Sequence, residues 1–225
     1  MSGMGKIRGY EGDKIRVTFE ASRCIHAAQC VRRLPSVFDT DRRPWIDPNG
    51  APVDETAEVV LACPSGALNY ERLDGGNDES PEPVNNLTVA ADGPVFARGE
   101  IEVVDGERRL LARETRVAFC RCGHSSNKPY CDGSHVEAGF EATAGLGAGR
   151  LKPDPDDSTG PLVVRLRPDG PLVLDGPFRI RAEGSDDSVE AGGCALCRCG
   201  ASSSKPYCDG THNSIGFTAA DPIGS

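Results

Sequence analysis

Residues 120–135 read CRCGHSSNKPYCDGSH and residues 197–212 read CRCGASSSKPYCDGTH, identical at 13 of 16 positions. The agreement runs well beyond these segments. Asp92-Gly93-Pro94 recurs as Asp169-Gly170-Pro171 and Gly139-Phe140 as Gly216-Phe217, each 77 residues later, so a unit of about fifty residues is duplicated without a gap. Two copies are too few for a solenoid and suit a pseudo-symmetric pair. Each copy carries the spacing C-x-C-x8-C-x3-H, which aligns Cys120, Cys122, Cys131 and His135 with Cys197, Cys199, Cys208 and His212.

Such a chain needs cross-links. Only 38% of its residues are hydrophobic and 5% aromatic, while Gly and Pro fill 44 of 225 positions. Little apolar surface is available for one large core, and bound metal or disulfides commonly make up the difference. The opening MSGMGKIRGYEGDK has no apolar run of the kind a secretory signal needs, and no stretch approaches the roughly 18 apolar residues of a membrane helix. A cytoplasmic chain with reduced thiols is therefore expected, and clustered cysteines in that setting bind metal. The net charge of −9, with 20 Arg and 5 Lys scattered along the chain, argues against a nucleic-acid partner, which calls for a basic stripe. The Arg-rich usage suits a GC-rich bacterial source.

Within each copy, DGPVFARGEIEVVDGE and DGPLVLDGPFRIRAEG alternate like strands punctuated by Gly. VAFC and CALC lead into the cysteine loop, and CDGSH and CDGTH predict a short helical turn with Asp132 and Asp209 as N-caps. That turn sets Cys131 and His135 on one face. The donors then form two pairs, as two irons bridged by sulfide need, although three Cys and one His also make a structural zinc site. Spacing alone leaves both open. Both segments also resemble the CDGSH iron–sulfur domain of mitoNEET-type proteins, whose pattern C-x-C-x2-(S/T)-x3-P-x-C-D-G-(S/A/T)-H is met twice without departure. The resemblance implies a 2Fe–2S cluster in each copy: Cys120 and Cys122 on one iron and Cys131 and His135 on the other, then Cys197 and Cys199 with Cys208 and His212. It also implies a two-fold pair of units whose swapped strands form a β-cap, made here within one polypeptide, so that a monomer suffices.

Residues 12–75 match neither copy. KIRVTFE predicts a strand, DETAEVVLAC a short helix capped by Asp54, and LNYERL a returning strand. Its cysteines lie in CIHAAQC and ACPSGAL. Bacterial ferredoxins use C-x2-C-x2-C and a remote Cys-Pro, and here Cys24, Cys30 and Cys63-Pro64 fit while Ala27 stands where the second cysteine belongs. The segment resembles the divergent single-cluster ferredoxin family, which carries C-x-H-x3-C and ends in CPSGAL. That implies a 4Fe–4S cluster with His26 as candidate fourth ligand, or a 3Fe–4S cluster on three cysteines alone. Cys194, aligned with Val117, is left as an apolar filler.

The expected fold is α+β: a ferredoxin-like domain (12–75), a linker (76–90), a CDGSH unit (91–145), a second linker (146–161) and a second unit (162–222), the last two units paired as an intramolecular pseudo-dimer. No catalytic triad, Walker or dinucleotide fingerprint occurs, so a non-enzymatic role is expected. One-electron transfer to a redox partner comes first. The alternatives are cluster storage, delivery to an apo acceptor or redox and pH sensing, and then a zinc-stabilised interaction module.

Overall fold

The computed structural model describes residues 6–147, 151–154 and 159–219. The chain divides into two compact units, one running to Ser80 and the other from Pro81 onward.

The first unit holds a three-stranded antiparallel sheet in the order β1 (Ile7–Glu11), β2 (Ile15–Glu20), β3 (Leu68–Arg72). β2 and β3 match the expected strands. β1 precedes the expected start of the module, because Ile7 and Tyr10 are its only large apolar residues and lack a two-residue alternation. It lies at the sheet edge, paired with β2 through a tight turn in which Gly12 N–H donates to the Ile15 carbonyl. Two helices, α1 (Gln29–Arg33) and α2 (Val53–Leu61), accompany the sheet. Ile15, Val17 and Leu68 from the strands meet Val59 and Val60 of α2 in a small core with Val37, Phe38 and Ile46. Asp54 does not cap α2. The cap position belongs to Pro52, whose fixed φ enters the helix directly, and Asp54 sits in the first turn facing Arg72.

The second unit is a six-stranded sheet with two short helices. Copy one supplies β4 (Asn86–Val89), β5 (Val95–Val104), β6 (Leu110–Phe119) and α3 (Ser134–Glu137). Copy two supplies β7 (Leu162–Leu166), β8 (Leu172–Ala182), β9 (Ser188–Leu196) and α4 (Thr211–Ser214). β4 falls inside the segment expected to be a linker; Leu87 and Val89 alternate inward, a pattern too short to stand out beside Pro83 and two asparagines. The pairing alternates between copies. The first half of β5 pairs with β4 and its second half runs parallel to β7. β8 likewise pairs first with β7 and then runs parallel to β4. Each switch of partner coincides with a bulge at a glycine of positive φ, Gly99 (136°) and Gly176 (116°). A Cβ there would lie 2.3 Å from Asn85 Oδ1 or 2.6 Å from the Pro161 carbonyl, so only glycine fits. Asn85, nearly buried, ties the crossover: its amide donates to the carbonyls of Gly160 and Pro177 (both 2.9 Å), and its Oδ1 accepts from Glu100 N–H (2.8 Å). The inward residues of both copies share one core, and Cys194 fills a place in it opposite Leu174, as expected of an apolar filler. No helix among the described residues is long and apolar enough to cross a membrane.

Candidate iron–sulfur centres

β6 and β9 deliver the first cysteine of each repeat loop. Cys120 N–H donates to the Pro129 carbonyl and Cys131 N–H to that of Ala118, both at 2.8 Å, so the loop folds back beside the strand that launches it. Cys197 and Cys208 make the same bonds to Pro206 and Ala195, again at 2.8 Å. A buried serine stiffens each loop: Ser125 and Ser202 donate to the carbonyls of Tyr130 and Tyr207, both at 2.6 Å.

Four donors therefore assemble in each copy as two pairs. Cys120 and Cys122 Sγ stand 3.7 Å apart, and Cys131 Sγ and His135 Nδ1 3.4 Å apart. Cys197 with Cys199 and Cys208 with His212 repeat both distances. A tetrahedral metal with bonds of about 2.3 Å to sulfur and 2.0–2.1 Å to nitrogen separates two sulfurs by about 3.7 Å and a sulfur and nitrogen by about 3.5 Å. Each pair is thus set for one metal atom. Among the described residues no three Cys, His, Asp or Glu side chains gather closely enough for a single ion. The donor set fits a two-metal unit.

Protonation follows from burial and pairing. The hydrogen bond between Cys122 and Cys120 draws the Cys120 thiol down and pushes Cys122 up, with burial adding to the rise. Burial pushes Cys131 up to about 12. Loading metal must expel these protons. His135 is pushed down by burial, which keeps its ring neutral and available as a ligand. Cys120, Cys122, Cys131 and Cys197 are buried, whereas Cys199, Cys208 and both imidazoles are half-buried.

The aspartates of CDGSH and CDGTH are not the helix caps. Gly133 and Gly210, at φ 91° and 92°, occupy those positions. Asp132 instead closes a turn around the histidine: Oδ1 accepts from Ser134 N–H and Oγ (3.0 and 2.6 Å), and Oδ2 from Ser126 N–H (2.8 Å). These bonds hold its carboxyl low against the burial that would raise it. Asp209 repeats the arrangement with Thr211 and Ser203. Lys128 and Lys205 donate to carbonyls of their own loops, those of Ser125 and Ser202.

Two arginines passed over in the sequence prove central. Arg121 and Arg198, the middle residues of C-R-C, are each 1% exposed. Arg121 donates to the carbonyls of Ala90, Gly93, Ala142 and Thr143, and Arg198 to those of Arg167 and Gly170. Their guanidiniums lie 5.3 and 5.8 Å from the Phe140 and Phe217 rings, which accounts for the repeated Gly-Phe. Burial depresses the Arg121 pKa, opposed by Asp92 and by the sulfurs of Cys197 and Cys122. Recurrence of C-R-C at the repeat offset was the available signal.

The copies meet at their cysteine loops. A Cβ on Gly123 would lie 2.4 Å from the Cys199 carbonyl oxygen, and one on Gly200 2.1 Å from that of Cys122.

In the first unit, Cys24 follows a single 3-10 turn (Ala21–Arg23), Cys30 lies on α1 and Cys63 follows α2. All three line one cavity, together with Ala27 and Pro64. Burial raises the thiols of Cys24 and Cys30. His26 is exposed and lines a larger adjoining groove, which shares Cys24 and Cys30 with that cavity. The loop reaches this arrangement through left-handed φ at His26 (55°) and Ala28 (57°), a conformation costing about 1–2 kcal/mol per residue without glycine.

Comparison with known proteins agrees with this division. Residues 10–73 match the family described as divergent 4Fe-4S mono-cluster, and residues 92–136 and 169–213 each match the iron-binding zinc finger CDGSH type. The chain is similar to the "Uncharacterized protein YjdI" of Escherichia coli K12 and to that of Escherichia coli O157:H7. Each is 42% identical over 66 residues, covering 29% of this chain and 87% of the relative. No solved structure matches.

Proposed function

Because the chain belongs to the iron–sulfur proteins, a divergent 4Fe-4S mono-cluster domain followed by two CDGSH-type motifs, we propose that it carries single electrons between three centres and a redox partner. The carrying observation is the donor geometry of the repeats, two separate pairs per copy. It supports a 2Fe–2S cluster in each copy over a lone zinc. Bound there, such a cluster takes up and returns one electron.

The chain's own residues set the terms. In copy one three buried sulfurs hold the centre and the half-buried imidazole forms the edge a partner can approach, whereas in copy two Cys199 and Cys208 are half-buried beside His212 and widen that edge. Neutral imidazole in place of a thiolate leaves the oxidised centre one charge less negative. The potential then rises above the about −400 mV of plant-type clusters, toward the roughly −150 to +300 mV of two-histidine centres. Arg121 adds positive charge within electrostatic reach of Cys122 and Cys197 and acts in the same direction. The exchanged strands and abutting loops support a pair formed within one chain, with no second copy needed. In the first unit, Ala27 against the cysteine cavity and His26 outside it support a centre held by three cysteines, either 3Fe–4S or a 4Fe–4S whose fourth iron has no side-chain ligand.

The half-buried histidines also favour a second reading, cluster delivery, since protonation there releases a ligand. Mixing reduced holo-protein with an apo-ferredoxin and, separately, with a one-electron acceptor distinguishes them. Electron transfer faster than cluster movement is expected; the reverse order refutes the carrier.

A further inference from the structure

We propose that the groove beside β1 in the first unit binds an amphipathic organic anion, an apolar body bearing one carboxylate, sulfonate or phosphate. The inference goes beyond electron transfer and does not depend on it. The groove encloses ≈ 900 Å³, within the usual span for small-molecule sites. Its apolar wall is an aromatic cluster in which Tyr10 and Phe19 stand edge-on to Trp45, at 6.4 and 4.9 Å.

Charge decides the sign of the ligand. Lys6, Arg8 and Arg43 all line the groove, and no described Asp or Glu does. Elsewhere in this unit Arg16, Arg33 and Arg72 each hold a carboxylate at 2.5–2.9 Å. Among the described residues no hydrogen bond or ion pair involves the Lys6 or Arg8 side chain, and the Arg43 guanidinium donates to the carbonyls of Thr40 and Arg42. Three cations without counter-charges, on a chain of net charge −9, converge on one concavity. Cations around an aromatic-walled hollow suit a small anion better than an acidic protein, whose charges call for a flat basic rim. Cys24 and Cys30 belong both to the groove and to the cysteine cavity, so a ligand here lies against the loop that carries them.

Calorimetry on the full, anaerobically purified chain tests this with two probes of one shape, naphthalene-2-sulfonate and the neutral naphthalene-2-sulfonamide. We expect one sulfonate per chain, bound about tenfold more tightly than the sulfonamide, with the gap closing as salt is added. The double variant Arg8→Ala/Arg43→Ala, at two exposed positions, abolishes the gap and leaves sulfonamide binding and circular dichroism unchanged. No binding at millimolar probe, equal affinities, or a gap that survives the double variant overturns the proposal. So does displacement of the sulfonate by a hexaglutamate peptide at lower concentration than by indole-3-acetate, which assigns the groove to a protein partner.

Discussion

Gly200→Ala perturbs the cysteine loop of one repeat through the other. Gly200 has φ of +81°, and a Cβ there would sit 2.1 Å from the Cys122 carbonyl oxygen and 2.7 Å from its carbon. Real Cβ contacts do not fall below about 3.0 Å, so a backbone must move by roughly 1 Å, and the backbone in the way carries a ligand of the opposite copy. Two costs add: about 1–2 kcal/mol for an L-residue at left-handed φ and about 1–3 kcal/mol for the overpacking. Gly216→Ala separates them, because its φ is +63° and nothing lies within 4 Å of its Cβ. The control should therefore lose only the first amount. At about 2–4 °C per kcal/mol for a chain of this size, Gly200→Ala should unfold roughly 2–12 °C below Gly216→Ala, followed by circular dichroism and visible absorption. Iron analysis should show both repeat centres impaired in Gly200→Ala, not only that of copy two. Equal midpoints for the two variants, or loss confined to the Cys197–His212 centre, would refute contact between the loops.

The remaining predictions concern the donors. Falling pH should release iron from the repeats once imidazole protonation competes with metal, below the ordinary histidine value of about 6.5; burial holds His135 down, so its loss comes later on the acid side, not earlier. His135→Cys should make about half of the acid-labile repeat absorbance resistant at pH 5 and lower the potential of that centre, as voltammetry and stopped-flow absorbance would record; an unchanged acid profile argues against His135 as a ligand. His26→Ala should leave iron content unaltered, whereas Cys63→Ser should remove only the irons of the first unit, both read by metal analysis. Arg121→Met removes the donor of the Ala90, Gly93 and Thr143 carbonyls, Ala142 keeping that of Asp92 N–H, and should cost about 2–4 kcal/mol, visible as a lowered midpoint of thermal unfolding.

What was legible in the sequence was chemistry that recurs at a fixed offset. Cys120 through His135, repeated at Cys197 through His212, specified donors, pairing and turn, and the structure sets all four pairs at metal-spanning distances. β2, α2 and β3 were legible from periodicity. The partner exchange of β5 and β8 came only from the family resemblance, since strand alternation carries no record of which strand lies alongside; in the sequence itself Gly99 and Gly176, at equal offset, mark where pairing changes. The aspartates of CDGSH and CDGTH carry an ordinary capping composition, yet the following glycine at positive φ takes the cap and turns each carboxylate toward its loop. His26 lies two residues from Cys24 in sequence, and left-handed backbone at His26 and Ala28 sets it in the groove that adjoins the cysteine cavity, a placement that spacing does not record. The burial of Arg121 and Arg198 was not legible, because the bonds that hold them run to backbone carbonyls, which leave no mark in the sequence.

Iron, zinc and acid-labile sulfide per chain, measured on anaerobically purified protein, test the central claim most directly. Two 2Fe–2S centres and one further cluster predict about eight sulfides with seven or eight irons and no zinc. Two or three zincs without sulfide would contradict the account.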